Sequence, residues 1–156
     1  MVANPSPSAL LKKYDVPTPR YTSYPTVPCW DTESFTKTKW ASAVKQVFEE
    51  TNKEKGVSLY IHLPFCESLC TYCACTTRIT KNHQVEFPYI QGILKEWEMY
   101  KRIFFNLSLL RELHLVGGTP TFFSARNLQW LISYLLESVL IHEDTAFSFE
   151  GHPNNT

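Results

Sequence analysis

The chain lacks an excess of charge of either sign: fifteen Lys and Arg face fifteen Asp and Glu over 156 residues, for a formal net charge of zero. No Lys/Arg run is present, which argues against a nucleic-acid binder or a protein held on an anionic membrane. Long apolar runs are missing as well, so no segment reads as a membrane span. The N-terminus, MVANPSPSALLKKYD, lacks the charged-then-apolar order of a secretory leader. Together these absences predict a cytoplasmic, reducing setting, with no nucleic-acid and no membrane partner. Structural disulfides are rare in such a setting, so clustered cysteines among the five are expected to bind metal or do redox chemistry. Apolar content of 44% with 19% charged residues is a globular composition, sufficient for one core.

Prolines are concentrated early, six of the ten lying before Cys29. Residues 1 to 30 therefore read as an extended arm without helical or strand period, its aromatic part being PTPRYTSYPTVPCW. A helical pattern follows from about Thr32 to Thr51, with Trp40, Val44, Val47 and Phe48 on one face, and Gly56 stops it. Residues 1–55 are expected to form this arm and helix, and 56–156 a separate second part.

In that second part, VSLYIHL (57–63) is apolar, rich in β-formers and bounded by Gly56 and Pro64, which predicts a buried strand. A cysteine-rich loop leaves its carboxyl end. Ile90, Ile93, Leu94, Trp97 and Tyr100 then mark one face of a helix over about 86–104. ELHLV (112–116) is a second strand, broken by Gly117-Gly118-Thr119-Pro120. Ser124 is suited to cap a helix whose face is Leu128, Leu131, Ile132, Leu135, Leu136 and Val139. TAFSFE (145–150) is a third strand. The order is β-α-β-α-β, the signature of an α/β fold with a parallel sheet. Ligands in such sheets sit beyond the carboxyl ends of the strands. Here those ends carry the cysteine loop, the double glycine and Glu150. Three strands alone leave both sheet edges open, so the chain is expected to be an incomplete piece of a longer enzyme, inactive alone.

Cys66, Cys70, Cys73 and Cys75 stand in the spacing C-x3-C-x2-C-x-C. A loop of that kind can wrap a [4Fe–4S] cube. The alternative is a structural zinc site, which more often uses two well-separated C-x2-C pairs. Each other candidate has a plainer reading too: Tyr60 as strand packing, the glycine pair as a turn, Glu150 as a rim charge.

YIHLPFCESLCTYCAC resembles the signature of the radical S-adenosylmethionine superfamily, and more narrowly of the oxygen-independent coproporphyrinogen III oxidases. PRYTSYPT, LHLVGGTPTFF and SFEGHP are similar to segments of the same family, so the likeness runs from about Leu11 to Asn155. It implies the first units of a partial parallel (β/α) barrel of the radical-SAM type, behind an extended N-terminal arm and one helix. It also implies oxidative decarboxylation of coproporphyrinogen III to protoporphyrinogen IX by a 5′-deoxyadenosyl radical, in porphyrin and haem synthesis.

By resemblance, Cys66, Cys70 and Cys73 are the metal ligands of a [4Fe–4S] cluster. Tyr60, Tyr72, Gly117, Gly118, Thr119 and Glu150 border S-adenosylmethionine, of which the whole enzyme is expected to hold two. Cys75 resembles the extra cysteine that separates the oxidases from haem-chaperone-like radical proteins, and is the expected catalytic thiol. Arg20, Tyr21 and Tyr24 of the arm offer a guanidinium and rings to a tetrapyrrole. An outside electron donor and acceptor and a monomeric state are further expectations. His62 reads as a neighbour of the cysteine loop; His83, His114, His142 and His152 lack partners at ligand spacing, and Cys29 reads as a spare thiol. The chain departs from its relatives at Val116 and Ala74, where glycines are common, and at Gly151-His152.

Overall fold

The structure, a computed structural model, describes residues 6–15 and 29–152. Arg20, Tyr21 and Tyr24 lie outside the described residues, as do residues 1–5 and 153–156. The chain divides into two compact units, 1–36 and 37–156.

The first unit contains a helix that the sequence reading did not anticipate, α1 (Pro7–Tyr14). Proline early in the chain suggested an extended arm, but Pro7 stands at the start of the helix, where its missing N–H costs nothing. Ser6 caps it by accepting from the Ala9 amide at 3.3 Å. Lys12 and Lys13 lie in the last turn, where positive charge suits the helix dipole. Proline was read as a breaker where it acts as a starter.

The second unit begins at α2 (Lys37–Thr51). The expected grouping of this helix with the arm is corrected by its packing. Trp40 meets Tyr100 edge-on at 5.4 Å, and Phe48 stacks on Phe104 at 4.0 Å. Asn52, just past the helix, accepts from the Leu109 amide and donates to the Leu107 carbonyl. Trp40, Val44 and Phe48 do share a face, while Val47, one step round the helix from Phe48, is exposed.

The sheet is three-stranded and parallel in the order β1 (Val57–Leu63), β4 (Ser108–Gly117), β5 (Val139–Phe149). Between β1 and β4 run the two-residue strands β2 (Phe65–Cys66) and β3 (Arg78–Ile79), then α3 (Glu86–Ile103); α4 (Ala125–Leu136) joins β4 to β5. The expected β-α-β-α-β order is therefore present. Two strands are longer than their patterns suggested. Ser108-Leu109-Leu110 pairs with Val139-Leu140-Ile141, and the register shifts beyond Leu110 before pairing resumes at Glu112 and Ala146. This irregularity interrupts the alternation by which a strand is recognised. Val139, expected on the face of α4, opens β5 instead.

Leu63, Leu110, Leu113 and Leu115 from the sheet pack with Ile90, Leu94 and Trp97 of α3 and Leu131 and Leu135 of α4 in one core. Burial of side chains of this size contributes about 1.5–3 kcal/mol each relative to exposure. The two helices so cover one sheet face. The alternate positions, Ser58, Tyr60 and His62 on β1 and Glu112 and His114 on β4, project to the other. Phe147 and Phe149 point with the core leucines opposite them in register but stay exposed on the edge strand β5.

Candidate functional site

The cysteine loop is fastened at its base. Phe65 and Cys66 pair in parallel with Arg78 and Ile79, and the Arg78 amide donates to the Pro64 carbonyl at 2.7 Å. The Thr80 amide donates to the Cys66 carbonyl at 2.9 Å. Loop entry and exit are thus held together, a feature too short to show in the sequence. Cys66 is buried, Cys70 and Cys73 are half-buried, and Cys75 is exposed. A turn in which the Cys73 amide donates to the Cys70 carbonyl at 3.1 Å brings those two residues round.

The sulfur of Cys66 accepts from the Thr119 hydroxyl at 3.2 Å. Desolvation raises the Cys75 thiol above its ordinary value, followed by the influence of neighbouring Cys73, with Glu150 and Cys66 adding to it. Cys66, Cys73 and Cys75 therefore share one locality with the carboxylate of Glu150. Tyr72 is 87% exposed, its ring free to lie against a bound group.

The loop's return is pinned to β1 by His62, as expected of a neighbour. Its Nε2 faces the Thr76 carbonyl at 2.8 Å and must donate, which leaves Nδ1 to accept from the Tyr60 hydroxyl at 3.2 Å. Tyr60 is exposed on the face away from the helices, not part of the core. The bland reading of Tyr60 as strand packing does not hold.

Beyond the end of β4, the Gly118 amide donates to the Leu63 carbonyl at 2.8 Å and the Thr119 amide to the Phe65 carbonyl at 3.0 Å. The Glu150 amide donates to the Leu115 carbonyl at 2.9 Å, and the Glu150 side chain accepts from the Gly117 amide at 3.3 Å. The glycine turn is thereby tied to both neighbouring chains. Glycine is obligatory here for the protein's own packing. Gly117 has φ +115°, and a Cβ on it would lie 2.6 Å from the His62 ring; one on Gly118 would lie 2.6 Å from the Pro64 carbonyl. A side chain at either position is excluded by the fold itself.

Sequence reasoning missed a hydrogen-bonded row across the open sheet face. The Ser58 hydroxyl donates to Glu112 at 2.9 Å, Glu112 faces Nε2 of His114 at 3.4 Å, and Nδ1 of His114 meets the Ser148 hydroxyl. The Ser58 and His114 bonds hold the Glu112 carboxyl below its ordinary value. The signal was present in the i, i+2 spacing of Ser58, Tyr60 and His62, of Glu112 and His114, and of Ser148 and Glu150. Two of the histidines that lack partners at ligand spacing have charged neighbours in the fold: His83 lies between Glu67 and Glu86, and His142 beside Arg111 and Asp144.

The donor set fits an iron–sulfur cluster. Cys66, Cys70 and Cys73 are reduced thiols on one loop, with a hydroxyl directed at the first sulfur. Hydrogen bonds to ligand sulfurs are among the features that tune such clusters. Among the described residues, the tight three-ligand grouping suited to one small ion is His142, Glu143 and Asp144, not the cysteines. Cluster thiolates bind separate corners of a cube, whereas four zinc ligands crowd about 2.3 Å from one ion.

No protein-family model matches the chain. Among curated proteins it is 35% identical over 140 residues to the oxygen-independent coproporphyrinogen III oxidase of Pseudomonas aeruginosa, covering 88% of this chain and 29% of the relative. It is 33% identical to that of Paracoccus denitrificans, covering 90% of the chain and 30% of the relative. The Escherichia coli protein of the same name is 32% identical, with 93% and 30% covered. A solved coproporphyrinogen III oxidase from Escherichia coli, described as a radical SAM enzyme, superimposes with a TM-score of 0.71 at 29% identity, over 91% of this chain and 30% of that one. The chain thus spans about 30% of the length of the relatives it matches. In sequence and in fold, these 156 residues are similar to a segment of the oxygen-independent coproporphyrinogen III oxidases, of which the solved Escherichia coli protein is described as a radical SAM enzyme.

Proposed function

We propose that this chain forms part of an oxygen-independent coproporphyrinogen III oxidase, acting in the cytoplasm on a tetrapyrrole substrate and exchanging electrons with outside partners. The observation that carries the reading is the convergence of the cysteine loop, the Gly117–Thr119 turn and Glu150 on one sheet edge, joined by the Thr119–Cys66 and Gly117–Glu150 hydrogen bonds. Cys66, Cys70 and Cys73 would hold a [4Fe–4S] cluster. With S-adenosylmethionine bound, such a cluster supplies one-electron cleavage and hydrogen abstraction.

The remaining work belongs to the chain's own groups. Thr119 directs its hydroxyl at the Cys66 sulfur, a hydrogen bond of the kind that tunes such clusters. Glu150, steadied by the Gly117 amide, offers a carboxylate to the ribose hydroxyls of S-adenosylmethionine. Tyr60, held by His62, and the exposed Tyr72 flank that position with rings. Cys75, outside the three-ligand set, leaves a thiol beside the site for the substrate or for redox chemistry. The whole reaction would convert two propionates to vinyls. Each conversion removes one hydrogen atom from the β-carbon, releases carbon dioxide by breaking the bond to the carboxylate, and passes one electron to an acceptor. A second S-adenosylmethionine, a monomeric state and a lack of nucleic-acid or membrane partners complete the proposal. No helix among the described residues is long and apolar enough to cross a membrane.

The test is anaerobic reconstitution with iron and sulfide, with spectra recorded before and after adding S-adenosylmethionine. A brown chain whose spectrum responds supports the reading. A colourless chain carrying one zinc would sink it. Vinyl formation by the whole protein, set against haem binding, separates the oxidase from the haem-chaperone-like alternative.

A further inference from the structure

The cysteine loop has a third fastening, and it is ionic. His83 sits in the short turn (His83–Val85) that leads into α3. Its Nδ1 lies 2.7 Å from Oε1 of Glu86, and its Nε2 lies 3.4 Å from Oε1 of Glu67, the residue that follows Cys66. Its ring stacks on the buried Phe122 at 4.4 Å with the planes 13° apart. Glu86 is 3% exposed and also accepts from the Ser124 amide and the Asn127 side chain at the start of α4. An ionised carboxylate only accepts, so a neutral imidazole would turn a lone pair toward one of the two carboxylates, whereas N–H groups toward both need two donors. Only the imidazolium provides two.

We propose that His83, as an imidazolium bridging Glu67 and Glu86, is a positioning residue that anchors the cysteine loop to the junction of α3 and α4 and makes the order of that loop depend on pH. The proposal deepens the reading of residues 66–75 as a cluster loop, but the metal-free measurement below does not depend on that reading. Glu67 from the loop and Glu86 from α3 are the charged groups that face the ring. The Glu86 bond raises His83 above its ordinary 6.5, desolvation opposes that, and Glu67 adds to it. A raised histidine contributes fully below its unfolded value, about 6.5, and its contribution is lost as pH rises through the folded value. Glu86 stays ionised throughout this window, its carboxyl lying below 4.5.

The experiment is hydrogen–deuterium exchange of the full chain, reduced and metal-free, at about pH 5.5 and about pH 8.5, either side of the histidine's range, with intrinsic rates corrected. Peptides from the 67–76 loop are expected to be about threefold better protected at the lower pH, the scale of a half-exposed ion pair. His83→Gln removes that pH dependence and leaves protection at the parent's high-pH level. Glu67→Gln, on the exposed side of the pair, does the same without touching the buried Glu86, so it decides the matter if His83→Gln fails to fold. Thiol titration is common to all three proteins and cancels in the comparison. In the iron–sulfur-loaded protein, loss of the visible band to a chelator should accelerate over the same pH range in the parent alone. Equal protection of the parent's loop at both pH values, or a pH dependence kept by Glu67→Gln, overturns the proposal.

Discussion

The hydroxyl of Thr119 donates to the sulfur of Cys66 across 3.2 Å, linking residues 53 apart in sequence. One end of the bond lies in the turn that closes β4, the other at the entrance to the cysteine loop. A hydroxyl near a thiol is a weak contact, but near a thiolate it becomes a charge-assisted one. The bond is therefore expected to matter more when the sulfur is a metal ligand than when it is free. Thr119→Val keeps the shape and removes the donor. We expect a loss of about 1 kcal/mol in the metal-free chain by denaturant titration, and faster cluster release to a chelator than in Thr119→Ser. Equal release from the Val and Ser variants would count against the sulfur being a ligand.

The glycines separate backbone demand from helix propensity. Gly118→Ala places a methyl group 2.6 Å from the Pro64 carbonyl, and Gly117→Ala adds strain at φ +115°. Each is expected to destabilise by about 1–3 kcal/mol, the scale of overpacking. Gly92, in α3, has nothing within 4 Å of its would-be Cβ. Gly92→Ala should stabilise by about 0.5–1 kcal/mol, since alanine loses less backbone freedom in a helix. Urea denaturation of the three variants checks the signs, and a neutral Gly118→Ala would contradict the packing described above.

Burial pushes the Glu86 carboxyl up, but the Ser124 amide, the Asn127 side chain, His83 and the Ser124 hydroxyl together outweigh it and leave it below 4.5. A depressed carboxyl contributes stability above its unfolded value, and the contribution is lost as pH falls through the folded one. Glu86→Gln is expected to cost about 2 kcal/mol near neutral pH. That difference from the parent should shrink steadily below pH 4.5. Denaturant midpoints of both proteins across the acid range measure it; a difference that grows on acidification would reverse the assignment.

Cys75 and the three proposed ligands should respond differently to serine. Cys66→Ser, Cys70→Ser or Cys73→Ser is expected to prevent cluster assembly, as each removes a thiolate from a site that needs three. Cys75→Ser is expected to assemble the cluster and bind S-adenosylmethionine yet to lose vinyl formation in the whole protein. Iron content and turnover, measured on the same preparations, distinguish the two outcomes. Loss of iron on changing Cys75 would make it a ligand.

Glu150→Gln keeps the size of the side chain and removes its charge. If the carboxylate receives ribose hydroxyls, the affinity of the cluster-loaded chain for S-adenosylmethionine should fall about tenfold, the scale of one charged hydrogen bond. Titration calorimetry under anaerobic conditions provides the number, and unchanged affinity would remove Glu150 from the site.

The sequence by itself determined the order of the main strands and their connecting helices, and the grouping of four cysteines in one loop. Val57–Leu63 was legible as a strand because its β-formers stand between Gly56 and Pro64, and α3 and α4 were legible because their apolar residues follow a 3.6-residue period. The cysteine grouping was legible because Cys66, Cys70, Cys73 and Cys75 lie within one short segment, a local feature. Helix α1 was equally local, and its Ser6-Pro7 start was misread because proline signals both arms and helix beginnings. What only the tertiary structure decided was which distant groups meet. The hydroxyl of Thr119 finds Cys66, and the ring of His62 fills the space beside Gly117. His83 falls between Glu67 and Glu86, and Ser58, Glu112, His114 and Ser148 align across three strands. The reason is register. A strand's own residues fix which of them share a face, but the residue that stands opposite each of them depends on how neighbouring strands slide past one another. That alignment is set by the packing of α3 and α4 on the sheet, not by any segment read alone.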